Sequence, residues 1–562
     1  GPAQAAFYGW LPAMLWVVFG CLFSGAVHDF GTLVVSARNG ARSIADLGGF
    51  IVSWRTRILF LLLINFLCLL VVAKFMEVIA KLFILWPASV LPVWAEVPFA
   101  IGLGFIARFA GKRLAPGKTQ MLVMSLSVAI LAILYGLIFG AVRIEEEFGQ
   151  YDPVSGAALD PVFGWKLGKD GDICRDSVNW NRATNEYTCG FGAMQFWTIL
   201  LCLYAMVAAC LPVWVLLQPR DFINSHQLKF VMGLLLLAVV FRGGKIDADA
   251  VRSEIPESVP PIFPGMFTLV ACGATSGFHG LVSSGVTSKQ LNKMRDARVI
   301  GYSAMLGEST LSALVIVIVC SAGTWKAVYA TGLNWTGFMV AGGKYLELFF
   351  EPKPARTIMD VLVVSFAATT LDSGMRIQRI LVGELGKTME KSEARVLVPL
   401  GKCLQRMAVQ ILLSSVPCLW VANSRAIGAV WNLFGATNQL TACVSLLVVA
   451  VYVLRFRKAD FKYVLPLALP IVWLLVMITW ALIDVIRRYI DTCTADKSCD
   501  WLTTVPTIPT IVLAFCIAFL VLFVYAEIGI YLATRKYKDA APVDPASGKM
   551  EECKLCGAGG CC

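Results

Sequence analysis

The chain has 562 residues, of which 58% are apolar and only 15% are charged. Soluble domains carry about 25% charged residues, so this composition excludes water-facing domains and predicts a polytopic membrane protein. The formal net charge is +11, but no basic stretch is interleaved with stacking aromatic residues, which excludes nucleic acid as a partner. In a lipid bilayer the location of the positive charges matters more than their sum.

Apolar stretches long enough to cross a bilayer as a helix, about 17–25 residues, recur along the whole chain. They predict an all-α membrane protein with about 13 transmembrane helices. The predicted crossings are 7–33, 57–79, 92–108, 119–140, 193–217, 227–242, 261–285, 299–321, 357–375, 398–420, 431–454, 463–485 and 507–533.

Seven connecting segments are basic, and with thirteen crossings all seven lie on one side of the membrane. Arg220 and Lys229 flank the third of them. The positive-inside rule then places Gly1 outside and the C-terminus in the cytoplasm. Counting 333–350 as a crossing would reverse the later loops, so that stretch is interpreted as re-entrant or interfacial. The predicted domains are a transporter domain at 1–533, an extracytoplasmic loop at 141–192 and a cytoplasmic tail at 534–562.

Two pairs of cysteines lie in segments that this topology assigns to the outside. Cys174 and Cys189 are in the loop 141–192, and Cys493 and Cys499 are in the loop 486–506. An oxidising compartment permits disulfides there, so two are predicted, with unpaired thiols as the alternative.

The tail has a further cysteine cluster of the form C-x2-C-x4-C-C. Four thiolates are enough for a metal site, although the adjacent last pair strains tetrahedral chelation. The alternatives are a metal site and a disordered tail with reactive thiols, and no other cofactor is required. The four residues are Cys553, Cys556, Cys561 and Cys562.

The segment 271–285 has four glycines and four hydroxyl residues in fifteen positions, which makes a poor continuous helix. At membrane depth an irregular backbone is tolerated where protein or a watery cavity satisfies it, as in the broken helices of transporters. We therefore interpret this segment as a binding segment. Close helix packing through small residues is the alternative, although it does not explain a histidine. The candidate binding residues are Gly273, Ser276, Gly277, His279, Ser283 and Ser284.

Polar residues in three other spans extend the candidate site. Glu308 is the only acid of its span and is interpreted either as the group that carries a coupling proton or as a structural carboxyl. Asn438 and Gln439 either line a substrate path or hold helices together. His28 and Asp29, at the cytoplasmic end of the first span, are candidates for gating or coupling.

Asp372 lies near the cytoplasmic end of its span and is a further gating or coupling candidate. Arg376 and Arg379, at i+4 and i+7, are placed to pair with it, which favours a structural role. No zinc-protease, nucleophile-elbow, Walker A or kinase motif is present, so an enzyme is not expected. Energy for transport would then come from an ion gradient.

At these residues the chain resembles the carbon starvation protein A (CstA) family of bacterial inner-membrane transporters. The matching stretches are in one order from Gly1 to about Lys538. They include Gly9-Trp10-Leu11-Pro12, Gly25-Ala26-Val27-His28-Asp29-Phe30, Pro219-Arg220-Asp221-Phe222, Ser276-Gly277-Phe278-His279, Glu308-Ser309, Leu371-Asp372-Ser373-Gly374-Met375-Arg376 and Leu433-Phe434-Gly435-Ala436-Thr437-Asn438-Gln439.

The resemblance implies proton-coupled import of short peptides or pyruvate during carbon starvation. The family is grouped with the amino acid–polyamine–organocation transporters, which implies an inverted-repeat, LeuT-like (APC) fold with broken helices. Family members continue N-terminally, so a further broken segment is expected before Gly1. The expected partners are a small-molecule or peptide substrate, a coupling ion and the lipid bilayer. A channel and a membrane-embedded nutrient or redox sensor are the alternatives.

Overall fold

The computed structural model describes residues 5–148, six short strands within 150–188, and residues 193–242, 246–252, 255, 259–270, 272–321, 334–390, 397–424, 427–457, 460–495 and 528–529. Its α-helices are α1 (Ala5–Tyr8), α2 (Trp10–Gly20), α3 (Ala26–Arg38), α4 (Ile44–Ile51), α5 (Trp54–Leu85), α6 (Val90–Arg113), α7 (Pro116–Phe148), α8 (Ala193–Cys210), α9 (Leu217–Arg242), α10 (Phe267–Leu269), α11 (Gly277–Gly285), α12 (Ala304–Val319), α13 (Asn334–Leu346), α14 (Pro352–Glu390), α15 (Leu397–Leu404), α16 (Met407–Ala422), α17 (Ile427–Val451) and α18 (Leu465–Ala495). Short π-helical turns precede α3, α10 and α12, at Cys21–Gly25, Ile262–Met266 and Arg298–Ser303.

Within the described residues, nine helical stretches are long and apolar enough to span a bilayer. Each coincides with one of the thirteen predicted crossings, which confirms a multi-pass membrane protein. The stretches are Trp10–Arg38, Arg55–Leu85, Pro87–Arg113, Gly117–Arg143, Leu217–Arg242, Arg298–Val319, Pro352–Glu390, Leu433–Leu454 and Leu465–Asp484.

Three of the other four predicted crossings are not single long helices, and the fourth lies almost entirely outside the described residues. The crossing 193–217 contains the shorter helix α8, and 261–285 is interrupted between α10 and α11. The crossing 398–420 is a bent pair, α15 and α16, with an angle of 85° between them. The crossing 507–533 lies outside the described residues except for 528–529.

One assignment from the charge pattern is wrong. Arg220 does not flank a solvated loop, because α9 begins at Leu217 and the Arg220 side chain inside it is only 1% exposed. Its burial is possible because acidic side chains of two neighbouring helices, Glu96 of α6 and Asp372 of α14, contact its guanidinium. The topology inferred from the basic segments therefore depends on the remaining positive charges.

The loop 141–192 contains three antiparallel two-stranded ribbons. The strands are β1 (Gln150–Tyr151) with β2 (Ala158–Leu159), β3 (Trp165–Leu167) with β4 (Ile173–Arg175), and β5 (Asn179–Asn181) with β6 (Glu186–Thr188). Cys174 lies in β4, opposite Lys166. Its predicted partner Cys189 lies outside the described residues, as do Cys499 and the four tail cysteines, so both disulfides and the tail metal site stay predictions.

The long helix α5 stands at the centre of the bundle and belongs to two large apolar clusters. Leu67 and Val71 belong to a cluster that also includes residues of α4, α17 and α18, whereas Val72 and Met76 belong to one that includes residues of α8, α9 and α14. On the outer helices, large apolar side chains such as Phe241 (71% exposed) point away from the protein. Their exposure fits a surface that contacts lipid tails rather than water.

The half-helix α11 packs against α17 at a separation that only glycine permits. A Cβ atom on Gly277 would lie 2.2 Å from the backbone oxygen of Asn438 and 2.6 Å from the backbone nitrogen of Ala442. Because both obstacles are backbone atoms, they cannot rotate away. Gly285, at the other end of α11, has open space at the same position.

We expect Gly277→Ala to lower the free energy of unfolding by about 1–3 kcal/mol, since overpacking forces α11 away from α17. The matched control is Gly285→Ala, which adds the same methyl group where nothing lies within 4 Å. Thermal unfolding of the two purified variants in detergent compares them directly. Equal midpoints would contradict the close packing of α11.

Candidate functional site

The break between α10 and α11 is the centre of the candidate site. Helical structure ends at Leu269 and resumes at Gly277, as the glycine- and hydroxyl-rich composition predicts. A break at membrane depth leaves backbone groups without helical partners, and these must be satisfied by other parts of the protein. Two adjacent amide side chains of α17 supply the partners.

Asn438 and Gln439 bind the two sides of the break. The Gln439 Nε2 atom donates to the carbonyl of Phe267, at 2.5 Å, in the last helical turn before the break. The backbone N–H of Phe278, in the first turn after it, donates to Asn438 Oδ1 at 2.8 Å. Asn438 Nδ2 also lies 3.2 Å from Ser276 Oγ. Both amides are fully buried, and their bonds to Phe267 and Phe278 hold the two sides of the broken helix in place.

Asp29 of α3 bridges two histidines beside this break, and we call these three residues the Asp29 cluster. Asp29 Oδ1 is 2.8 Å from His28 Nδ1, and Asp29 Oδ2 is 3.0 Å from His279 Nδ1. The His28 side chain is completely buried, whereas that of His279 is 31% exposed. A Cβ on Gly280 would lie 2.7 Å from the His28 ring, so the absence of a side chain there allows α11 to approach α3.

Glu308 of α12 belongs to the same electrostatic environment. The charges of His279 and Asp29 both act on its carboxylate. Among the described residues, Glu308 has no side-chain hydrogen bond or salt bridge, unlike Asp29. Ionisable groups from three helices, α3, α11 and α12, therefore lie within electrostatic range of one another next to the break.

The remaining candidate residues of the segment serve the packing of α11 and its surroundings. Ser283 Oγ lies 2.8 Å from Thr32 Oγ1 of α3, and the Ser284 carbonyl accepts a hydrogen bond from Ser36 Oγ at 2.7 Å. Gly273 lies against the Ser312 side chain of α12. Both interpretations of the segment 271–285 therefore apply in part. Its small residues pack against neighbouring helices, while His279 contacts the carboxylate of Asp29.

Asp372 is outside the Asp29 cluster and has a different partner from the one that the sequence suggested. Its Oδ2 atom accepts from Arg220 Nη1 at 2.8 Å and from the Tyr204 hydroxyl at 2.7 Å. Arg376 instead donates from Nη2 to the carbonyls of Ala208, at 2.8 Å, and Leu211, at 2.5 Å. The predicted pairing within α14 is wrong because a guanidinium from α9 reaches the carboxylate across the helix interface.

Sequence reasoning missed Glu96, Tyr204 and the buried role of Arg220. A signal was available, since Glu96 is the only acid of the crossing 92–108, the same criterion that singled out Glu308. For metals, no group of three or more His, Cys, Asp or Glu side chains in the described part of the chain is arranged to hold an ion.

We expect Asn438→Ala to destabilise the protein by about 1–3 kcal/mol, because the buried N–H of Phe278 loses its acceptor. Thr437→Ala is the matched control: Thr437 is equally buried, but its hydroxyl bonds only to Leu433 of its own helix. Thermal unfolding should show the larger loss for Asn438→Ala. A larger loss for Thr437→Ala would show that the amide does not support the break.

The comparisons with known proteins identify a family. The family model described as "Carbon starvation protein CstA" matches residues 1–165, 182–336 and 338–481. A peptide transporter CstA of Bacillus subtilis (strain 168) is 25% identical over 530 residues, covering 86% of this chain and 78% of that protein. A pyruvate/proton symporter BtsT of Escherichia coli (strain K12) is 27% identical over 570 residues, covering 86% and 71%.

Among solved structures, a manganese transporter of Eremococcus coleocola aligns over 94% of this chain and 96% of its own, with 12% identity and a TM-score of 0.34. That likeness is too weak to support an argument about the fold. The relatives and the membrane-spanning helices together identify a multi-pass membrane transporter rather than an enzyme. The extent of the family match leads to the conclusion that this chain belongs to the carbon starvation protein CstA family.

Proposed function

We propose that the chain is a proton-coupled secondary transporter of the bacterial inner membrane that imports short peptides or pyruvate-like carboxylates during carbon starvation. The observation that carries this proposal is the Asp29 cluster beside a broken helix, with Glu308 in the same electrostatic environment. The names of the relatives, which include a peptide transporter and a pyruvate/proton symporter, support the same substrate classes.

The substrate carboxylate would bind at the N-terminal end of α11. The first turn of a helix carries a partial positive charge, which favours an anionic group. The Phe278 N–H is already bonded to Asn438, so the next polar group along the helix is the His279 side chain. Since His279 is partly exposed, it is available to a ligand while Asp29 holds its ring from the other side.

Proton coupling follows from the charges around that position. A substrate carboxylate entering beside Asp29 and Glu308 adds negative charge in a region where an unbalanced charge is expensive. Uptake of a proton by the His279, Asp29 and Glu308 group offsets that charge. Proton binding and substrate binding therefore favour each other, and this reciprocal linkage is what symport requires.

We further propose that the transporter domain has an inverted-repeat architecture. Gly1 then lies outside the membrane, and the C-terminus lies in the cytoplasm. Two interrupted helical elements support it, α10 with α11 and α15 with α16, because transporters with inverted repeats have discontinuous helices near the bilayer midplane. The basic segments other than the one at Arg220 support the orientation.

Uptake of labelled pyruvate and of labelled dipeptides into proteoliposomes tests the function. We expect saturable accumulation of at least one of them when the pH gradient is directed inward, and collapse of the accumulation when a protonophore is added. Saturable uptake that ignores the gradient would contradict proton coupling. Uptake that does not saturate and never raises the internal substrate concentration above the external one would identify a channel instead.

Substitutions in the cluster test the assigned residues. We expect Glu308→Gln and His279→Gln each to reduce gradient-driven accumulation at least about tenfold, the equivalent of about 1.4 kcal/mol of coupling. The matched control is His226→Gln in α9, which removes a histidine whose Nδ1 atom contacts only the neighbouring Phe222 carbonyl and Ser225 hydroxyl. Normal accumulation by Glu308→Gln would remove Glu308 from the mechanism.

A further inference from the structure

A second group of charged side chains is buried away from the Asp29 cluster and shares no residue with it. We call it the Arg220 network, and it joins four helices: α6, α8, α9 and α14. Its three charged members are 1–2% exposed. The network consists of Glu96, Tyr204, Arg220, Ser365 and Asp372.

The charges of the Arg220 network do not balance if both acids are ionised. One guanidinium, that of Arg220, faces the two carboxylates of Glu96 and Asp372. Asp221, the next residue of α9, is a third acid nearby, but its side chain is exposed and borders a cavity. A buried carboxylate without a counter-charge is strongly destabilising, so the imbalance needs compensation.

Arg376 is the other cation near Asp372, but its hydrogen bonds are made elsewhere. Its guanidinium donates to the carbonyls of Ala208 and Leu211, at the C-terminal end of α8. The carbonyls at a helix C-terminus carry partial negative charge, which attracts a cation. Arg376 therefore completes the end of α8, and a proton on one of the two acids is the simplest compensation within the network.

The distances favour Asp372 as the ionised acid and Glu96 as the protonated one. Asp372 Oδ2 lies 2.8 Å from Arg220 Nη1 and 2.7 Å from the Tyr204 hydroxyl, as expected for an ionised carboxylate with strong donors. Glu96 Oε1 is 3.4 Å from Arg220 Nε, beyond the usual length of a charge-assisted bond. Asp372 is therefore the ionic partner of Arg220, and Glu96 has the geometry of a neutral acid.

Ser365 supplies the partner that a neutral Glu96 needs. Its hydroxyl oxygen lies 3.0 Å from Glu96 Oε2. A serine hydroxyl accepts a hydrogen bond as readily as it donates one, so the O–H of a protonated Glu96 can donate to it. A protonated Glu96 thus has Ser365 as the partner of its O–H group, and its other oxygen, Oε1, still lies 3.4 Å from Arg220 Nε.

We infer that Glu96 holds a proton and that Glu96, Arg220 and Asp372 form a proton-binding site separate from the Asp29 cluster. The charged and titratable groups facing it are Tyr204 from α8, Arg220 and Asp221 from α9, and Asp372 with Arg376 from α14. This site goes beyond the proposed function, which assigns no role to any of them.

A cavity lies close to this site. It has a volume of about 160 Å³ and is bordered by Asp221, Ser373 and Arg376, and none of its described lining residues belongs to the Arg220 network. A water molecule occupies about 30 Å³ in the liquid, so the cavity has room for several.

Infrared difference spectroscopy of the purified full-length protein in lipid at neutral pH tests the site. We expect the carboxylic-acid C=O band of the wild type to lose one component in Glu96→Gln, and the same component to shift in D2O. Asp372→Asn should lose it too, because Arg220 would then have Glu96 as its only anionic partner and the shared proton would leave. Retention of the full band in Glu96→Gln and in Asp372→Asn would overturn the inference.

Two milder substitutions locate the proton within the pair. Ser365→Ala removes a hydroxyl that contacts Glu96, and Tyr204→Phe removes one that contacts Asp372. A shift of the band in Ser365→Ala but not in Tyr204→Phe supports a proton on Glu96, and the reverse pattern would overturn that assignment. The measurement uses neither substrate nor gradient, so its failure is distinguishable from a failure of the proposed transport.

Discussion

The structure depends on how the backbone of one interrupted helix is satisfied inside the membrane. A break between α10 and α11 exposes carbonyl and amide groups where lipid offers no hydrogen bonds. The amides of Asn438 and Gln439, adjacent on α17, bind one group on each side of the break. These two bonds position the N-terminal turn of α11, and with it His279, against α3.

The close packing of α11 follows from the same constraint. The short helix has few residues with which to bury apolar surface, so it is held by backbone contacts and hydroxyl pairs instead. Gly277 lets it touch α17, Gly280 lets it touch the His28 ring, and Ser283 pairs with Thr32. The result is that a histidine on a broken helix is held 3.0 Å from an aspartate of another helix.

Two of the buried groups of charged side chains lie in different parts of the bundle. The Asp29 cluster lies between α3 and α11, next to the break, while the Arg220 network lies among α6, α8, α9 and α14. The long helix α5 contributes to the two large apolar clusters of the described residues. Asp29 and Arg220 are each stabilised by local partners, because a buried ion needs an oppositely charged group within a few ångströms.

The sequence by itself determined the membrane class, nine of the crossings and the interrupted character of 271–285, because these follow from local apolar length and glycine content. It also singled out His279 and Glu308, which are conspicuous in an apolar background. Only the tertiary structure decided their partners. Arg220 was assigned to a basic loop and Asp372 to a pairing along its own helix, yet they bind each other across 152 positions of the chain. The local sequence pattern does not indicate which helix faces pack against each other. Whether a charged side chain can be buried depends on the residues of those neighbouring helices, so only the tertiary structure decides it.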